Sequence, residues 1–381
     1  MHTMDFNQRP ILVFWETTRA CLLACKHCRA EAQPNPAPGE LTTSEGMAFV
    51  RSLAGFGRPA PVLIMTGGDV LMRPDVFELV TEARRLGIPV GLAPSVTPRL
   101  TAESIEHMVS LGVKVASISL DGATPATHEG VRGVEHHFAD TLVALQSMVD
   151  HGMSVQVNTA VMRDNAEELP GIVRHMKKIG VRIWEVFFLV PVGRGKQDQS
   201  LNPEETEAVA HFLYDASGYD LTVRTVEGPF FRRVAAWRNK AGLLPSANPE
   251  LVAATYHLHP LYLQLTRELR EALGDPGPSQ AQTTGTRDGK GIIFVGHDGT
   301  VYPAGFLPLA LGNVREQSLA SIYRENPVLK SIRSAEFHGR CGTCEYRDSC
   351  GGSRARAYAV YGDPLGEDPA CAHLATVGMP G

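Results

Sequence analysis

Between residues 10 and 190, short β-branched apolar runs alternate with longer amphipathic stretches, and this alternation restricts the fold more than any other feature of the chain. The runs are ILVFWET (11–17), PVLIMT (61–66), IPVGLAP (88–94), VKVASISL (113–120), MSVQVNTAV (153–161) and VRIWEVFFLV (181–190). They are nearly continuously apolar, as parallel strands covered on both faces should be. Between them, DVFELVTEARRLG (75–87) has helical periodicity and stops at Gly87. TAESIEHMVSLG opens on a capping candidate, Thr101, and stops at Gly112, and further helices fit 138–152 and 165–180. Strands joined by helices imply a parallel sheet with right-handed crossovers. A closed eightfold barrel takes about 250 residues, so six units predict an α/β partial (β/α)6 TIM-like barrel. An open doubly wound sheet is the rival, weakened because no G-x-G-x-x-G follows a strand.

Past 190 the rhythm changes. PVGRGKQDQS (191–200) reads as a loop, 203–217 as a helix, 221–226 as a short strand and 229–272 as helices. Residues 275–291 are rich in Gly, Pro, Ser and Thr, the composition of a linker or mobile loop. IIFVGHDGTVYP (292–303) reads as a hairpin turning at HDG. The expected organisation is a barrel over 8–228, a helical bridge and loop over 229–291, and a small C-terminal α+β cysteine-bearing module over 292–381. At 381 residues and 43% hydrophobic content the chain can bury a large core. Its net charge of −5 gives no reason to expect a nucleic-acid or membrane partner. No basic-then-apolar leader opens it and no apolar stretch is of spanning length, so a cytoplasmic location is expected.

Seven cysteines fall into clusters: Cys21, Cys25 and Cys28 in CLLACKHC; Cys341, Cys344 and Cys350 in CGTCEYRDSC; and Cys371 in DPACAH. Close spacing in a large chain without an export signal favours metal binding over a disulfide framework. Three thiolates on a four-iron cluster leave one iron open, as a catalytic metal site requires. Three cysteines of a zinc site remain the alternative at this point.

CLLACKHC, placed after the first strand, resembles the CxxxCxxC motif of the radical S-adenosylmethionine (SAM) superfamily. TGGD (Thr66, Gly67, Gly68, Asp69) ends the second strand and resembles that family's GGE-like motif, whose backbone and carboxylate hold the SAM ammonium group; Asp69 departs from the commoner glutamate. The resemblance implies a 4Fe–4S cluster on Cys21, Cys25 and Cys28, SAM as a cofactor, reductive cleavage to a 5′-deoxyadenosyl radical, and an electron donor such as flavodoxin or ferredoxin. It further implies SAM contacts from Ser119 and Asp121 at the end of the fourth strand, Arg132 toward the carboxylate, Asn158 toward the ribose and His27 near adenine. A capping or surface role is the alternative for each.

The second group, C-x2-C-x5-C plus a distant cysteine, resembles the SPASM or Twitch auxiliary-cluster module found after many such barrels. The resemblance implies one auxiliary 4Fe–4S cluster on Cys341, Cys344, Cys350 and Cys371. Ala304 and Ser353 stand where several relatives have cysteines, so a second auxiliary cluster lacks ligands. A zinc ribbon has compatible spacing and stays open.

RPILVFWETTRAC, GFLPLALGNVRE and RARAYAVYGDP are similar to the subgroup of heme d1 and alternative heme biosynthesis, outside about 228–290. A tetrapyrrole carboxylate is therefore the expected substrate, with oxidative decarboxylation or side-chain modification as the reaction. Arg194, Lys196, Arg224, Arg232, Arg233 and Arg238 crowd the segment after the last strand, and arginine forks suit carboxylates; Arg194, Arg224 and Arg232 are the candidate substrate contacts. A solvated basic face is the alternative. A ribosomal-peptide maturase, a small-molecule dehydrogenase or epimerase, and a non-catalytic iron–sulfur electron carrier are the other readings. His136, His137 and the HLH at 257–259 read as surface or core histidines.

Overall fold

The computed structural model describes residues 5–283 and 285–373. Ten strands form one sheet: β1 (Leu12–Glu16), β2 (Val62–Thr66), β3 (Val90–Leu92), β4 (Val115–Ser119), β5 (Ser154–Val161), β6 (Ile183–Phe188), β7 (Thr222–Val226), β8 (Ile292–Val295), β9 (Thr300–Tyr302) and β10 (Gly312–Asn313). The order is β10-β9-β8-β1-β2-β3-β4-β5-β6-β7. The six expected strands lie side by side and parallel. Two more parallel strands extend them, β7 beside β6 and β8 beside β1. The curved sheet does not close, which is the partial-barrel architecture.

The helices are α1 (Thr43–Ser52), α2 (Val76–Arg85), α3 (Ala102–Ser110), α4 (Pro125–Arg132), α5 (His137–Asp150), α6 (Leu169–Ile179), α7 (Pro203–Ala216), α8 (Phe230–Lys240), α9 (Pro249–Tyr256), α10 (Leu261–Leu273), α11 (Leu319–Glu325), α12 (Pro327–Arg333), α13 (Gly339–Thr343) and α14 (Arg354–Tyr361). Thr101 caps α3, its hydroxyl accepting from the Ser104 amide. Gly180 ends α6 in the left-handed region, φ 89°.

The strands are not uniformly apolar on both faces. Val13, Trp15, Leu63, Met65, Val157, Trp184 and Val186 are fully buried under the helices. The alternate residues line the barrel interior and are polar on β4–β7: Ser119, Asn158, Glu185 and Arg224 lie on one level of the ladder. Alternation places every second residue on the interior, so the polar set converges there without breaking the core.

The hairpin over 292–303 forms, and its first strand joins the barrel sheet: Leu12 pairs with Ile292 and Trp15 with Val295. The segment expected as a linker, 275–291, is tied to the barrel edge, where Gln282 donates its amide to the Val223 carbonyl (2.9 Å) and Gly277 to Gly218 (2.7 Å). Among the described residues no helix is long and apolar enough to cross a membrane.

Candidate active site and iron–sulfur centres

The loop carrying Cys21, Cys25 and Cys28 leaves β1 and is held from three directions. From β2, Gly68 donates to the Thr18 carbonyl (2.8 Å) and Asp69 to Ala20 (2.7 Å). From α4, the Arg132 and Val131 carbonyls accept from Ala24 (3.2 Å) and Lys26 (2.9 Å). After β6, Arg194 donates its amide to Cys28 O (3.0 Å) and its guanidinium to Cys25 O (2.9 Å) and Ala32 O (3.1 Å). Cys21 and Cys25 are buried and Cys28 is half-buried; Leu23, Ala32 and Val134 pack with them. Burial raises the Cys21 thiol above its ordinary pKa, so it ionises when a metal supplies the compensating charge. Three thiols held by one backbone-clamped loop fit a cluster with an open iron.

The TGGD turn explains itself sterically. A Cβ on Gly68 would lie 2.7 Å from Arg19 O and closer still to Ala20 O, and one on Gly67 would lie 2.5 Å from Thr18 O. These glycines admit the cysteine loop onto the end of β2; the close approach is backbone on backbone. Asp69 is fully buried and both of its oxygens are engaged. Oδ1 accepts from the amides of Leu71 (3.1 Å) and Ser95 (3.2 Å), and Oδ2 from the Thr97 hydroxyl (2.7 Å). The Ser95 hydroxyl in turn donates to Gly68 O (3.0 Å) and lies 3.8 Å from Cys21 Sγ. Ser95 and Thr97 escaped the sequence reading, although the APSVT turn after β3 was visible.

Asp121 and Arg132 pair with each other at 2.5 Å, both buried, and Arg132 also donates to Cys25 Sγ at 3.5 Å. Burial works against the Asp121 carboxylate, but Arg132, His27 and His128 outweigh it and hold its pKa below the usual range. Burial works equally against Arg132 and is overcome by Asp121 and the cysteines. His27 Nε2 sits 3.8 Å from Asp121, and burial, with Arg132 and Arg194, lowers its pKa to about 4. His128 accepts from the Asp121 amide (3.1 Å), meets His137 at 2.8 Å, and His137 reaches Val96 O at 3.0 Å. His137 is thus a core residue that joins the loop after β4 to the loop after β3. Ser119, Asn158 and Thr66 are half-buried at the interior ends of their strands; Asn158 accepts from Gln156 (2.8 Å), which also donates to Glu185 (2.8 Å).

The basic segment is not a shared carboxylate-binding face, nor a solvated one. Arg194 braces the cysteine loop. Arg233 forms a bidentate pair with Glu207 (2.7 and 2.6 Å) and Arg238 pairs with Asp215 (2.5 Å), because α8 turns these residues onto the acids of α7. Arg232 bonds the carbonyls of Ser349 (3.1 Å) and Thr286, and Lys196 is exposed. Arg224 alone keeps an interior position, beside Gln282 and level with Glu185.

In the C-terminal module, Cys341, Cys344, Cys350 and Cys371 all line one small cavity, together with Phe230, Arg233 and Tyr346. Burial pushes the Cys350 thiol up to about 11 and that of Cys371 to about 12. Arg354, fully buried, donates to Cys341 Sγ at 3.8 Å. Convergence of four thiols separated by up to 30 positions, beside buried cations, fits a group that brings charge of its own. Ser353 does other work. Its hydroxyl donates to Glu227 (2.5 Å) and caps α14 by accepting from the Arg356 amide (2.9 Å). Ala304 is buried in a tight turn.

A second cavity, of about 310 Å³, opens beyond the ends of β5 and β6. Val161, Phe188, Leu189, Leu201 and Pro203 wall it, Arg163 and Arg356 supply cations, and Pro369 and Ala370 of the module cover it.

Residues 15–176 match the Radical SAM superfamily and residues 287–345 match SPASM, an iron–sulfur cluster-binding domain. The chain is 36% identical over 366 residues to an AdoMet-dependent heme synthase of Nitratidesulfovibrio vulgaris, covering 95% of this chain and 92% of that one. That match necessarily runs through 228–290, where the sequence alone showed no resemblance. A pre-heme d1 synthase of Dinoroseobacter shibae is 28% identical, covering 94% and 85% of the two chains. In fold, SuiB of Streptococcus suis bound to its precursor peptide SuiA superposes with a TM-score of 0.68 at 15% identity, covering 96% and 76%. The chain belongs to the radical SAM superfamily: it is a SPASM-bearing radical SAM enzyme of the heme-biosynthesis-like subgroup, with SAM, a SAM-binding 4Fe–4S cluster and auxiliary iron–sulfur as its cofactors.

Proposed function

We propose that the enzyme modifies a carboxylated tetrapyrrole, oxidatively decarboxylating or otherwise altering its side chains, with one auxiliary 4Fe–4S cluster on Cys341, Cys344, Cys350 and Cys371. The observation that carries this reading is similarity along 95% of the chain to a heme synthase. The strand-end cavity agrees with it, since its apolar walls suit a macrocycle, the half-exposed Arg163 at its rim suits a carboxylate, and about 310 Å³ falls within the range of small-molecule sites.

SAM bound at the N-terminal cluster supplies a 5′-deoxyadenosyl radical for hydrogen abstraction. The chain's own residues then have definable tasks. Arg194, Gly68 and the Arg132 carbonyl fix the cysteine loop, while the Ser95–Asp69–Thr97 bonds hold the β2 end on which it rests. Ser119, Asn158 and Gln156 offer neutral polar groups to a ligand in the barrel interior. His27, neutral at physiological pH, adds no charge there. Flavodoxin or ferredoxin is the proposed source of the reducing electron, and the barrel, bridge and module over 8–228, 229–291 and 292–381 are the proposed working parts.

The test is anaerobic titration of the reconstituted enzyme with an iron coproporphyrin, followed by SAM and a strong reductant. Micromolar binding, formation of 5′-deoxyadenosine and loss of carbon dioxide from the porphyrin are expected. 5′-Deoxyadenosine formation without porphyrin binding or change would overturn the substrate. The peptide-bound state of SuiB favours a peptide substrate as the second reading. No 5′-deoxyadenosine at all, with intact clusters, would leave only an electron carrier.

A further inference from the structure

Arg287 lies in the turn before β8 and is 7% exposed. Its Nη1 donates to Arg347 O (3.3 Å), and its Nε and Nη2 are buried without a hydrogen-bond partner among the described residues. The guanidinium stacks on Phe337 at 5.2 Å, and Arg354 stacks on the same ring at 4.3 Å. Nη1 packs on Gly351, next to Cys350, where an added Cβ would collide with it. Among the described residues, Arg287, Arg354 and Arg232 each lack a carboxylate within ion-pair distance; Arg354 reaches Cys341 Sγ (3.8 Å), Arg287 packs on Gly351 of the thiol cavity wall, and the buried Asp288 is the one carboxylate whose charge acts on all three. Arg233, by contrast, is already matched by Glu207.

Buried cations with idle donors are costly unless a ligand completes them. The anion on hand is the auxiliary cluster: four thiolates make it net negative, and reduction adds a further charge. Fixed positive charge and N–H donors near a cluster raise its reduction potential. We propose that Arg287 is a cation that stabilises the reduced auxiliary cluster and raises its potential, favouring electron flow from a substrate radical into the C-terminal site. A substrate carboxylate is the competing partner for Arg287. Its side-chain neighbours, however, are Phe337, Arg347 and Gly351 of the module, whereas Arg163 and Arg356 are the cations of the strand-end cavity. The inference rests on cluster occupancy of the four-cysteine site and not on the tetrapyrrole reading.

The experiment is an EPR-monitored redox titration of the full-length reconstituted enzyme without substrate, as wild type, R287Q, R287K and R232Q, with iron and sulfide measured for each. R287Q is expected to lower the auxiliary midpoint potential and leave that of the N-terminal cluster unchanged. R287K should recover part of the shift, and R232Q should lower the potential less. If R287Q fails to load the cluster, R232Q carries the test, and a wild-type potential there overturns the proposal. A wild-type potential in R287Q overturns it as well. Absence of a second cluster signal from the wild type refutes it at the root.

Discussion

Asp69 gives the sharpest test of how the SAM-side loops are held. Family resemblance puts its carboxylate on a ligand; the structure puts it on Leu71, Ser95 and Thr97, fully buried. Asp69→Ala would leave two backbone amides and one hydroxyl without an acceptor. At roughly 1–3 kcal/mol for each buried unsatisfied group, and with Thr97 free to re-aim, the cost comes to about 3–5 kcal/mol. That is a large part of the ~5–15 kcal/mol that holds a protein folded. Asp69→Asn keeps an oxygen for both amides and loses the acceptor for Thr97, costing about 1 kcal/mol. Asp69→Glu, the commoner family residue, forces a methylene into a filled site at ~1–3 kcal/mol. Urea unfolding of the reduced, metal-free protein should give the order Asp > Asn > Glu > Ala. SAM affinity of the reconstituted Asn variant should stay within a few-fold of wild type, because the carboxylate serves the loop. An Asn variant of full stability whose SAM binding falls by more than tenfold would refute this reasoning and return the carboxylate to the ligand.

Four further outcomes follow from the same geometry. Gly193 has φ 58°, and a Cβ there would lie 2.5 Å from Cys28 O and Arg29 O; Gly193→Ala should therefore displace the cysteine loop and halve the iron per chain, leaving the auxiliary cluster spectrum. Gly130, exposed within α4 with open space around its Cβ position, is the control: Gly130→Ala should stabilise by about 0.5–1 kcal/mol in the same unfolding assay, with full iron content. His128 is lowered to about 3 and His137 is also lowered, chiefly by burial, so both fold neutral; the stability they contribute is present above the free-histidine range of about 6.5 and drains away as pH falls toward 3, measurable as proton uptake on acid unfolding that His137→Phe reduces. Glu227 is raised well above a normal glutamate by burial and then by Asp288, and two touching buried carboxyls share a proton. That contribution is present at low pH and lost as pH rises through the elevated value, so Glu227→Gln, which keeps an acceptor for Ser353, should flatten that loss of stability with rising pH.

The βα rhythm was legible because apolar runs and glycine stops are local signals: Gly87, Gly112 and Gly180 all fall just past the ends of their helices, with positive φ. The pairing of β8 with β1 was not, since 280 positions separate Trp15 from its ladder neighbour Val295 and no local pattern records a register across such a gap; the hairpin was visible and its attachment was not. The cysteine sets were legible because spacing alone is the signal. The arginines misled for the opposite reason. A cluster of charges in sequence is silent about partners, and Glu207 and Asp215, which claim Arg233 and Arg238, lie on the preceding helix, whose packing against α8 no local pattern records. The interior polar row was written into β5 and β6 as Gln156, Asn158 and Glu185, at every second place, and the predominance of valine and phenylalanine around them hid the period of two.

These misses share a structural meaning. The cysteine loop follows β1, and the module grows from β8, the neighbour of β1 in the sheet. Glu16 at the end of β1 binds both Arg29 of the cysteine loop (2.9 Å) and His297 of the β8–β9 turn (3.0 Å), so one buried carboxylate ties the two cofactor-bearing regions at their bases. On the other edge, Arg356 of α14 donates to Glu227 O (2.7 Å) just past β7 and pairs with Asp368 (2.8 Å), which lines the four-cysteine cavity. The module is therefore fastened at both edges of the open barrel, by backbone pairing at β8 and by buried ionic groups at β7. Swinging it away would break a strand ladder and strand buried charges together, a cost of several kcal/mol on either side. Any electron exchange between the two sites would therefore run across a separation that these bonds hold, with its direction governed by the charges set around each cluster.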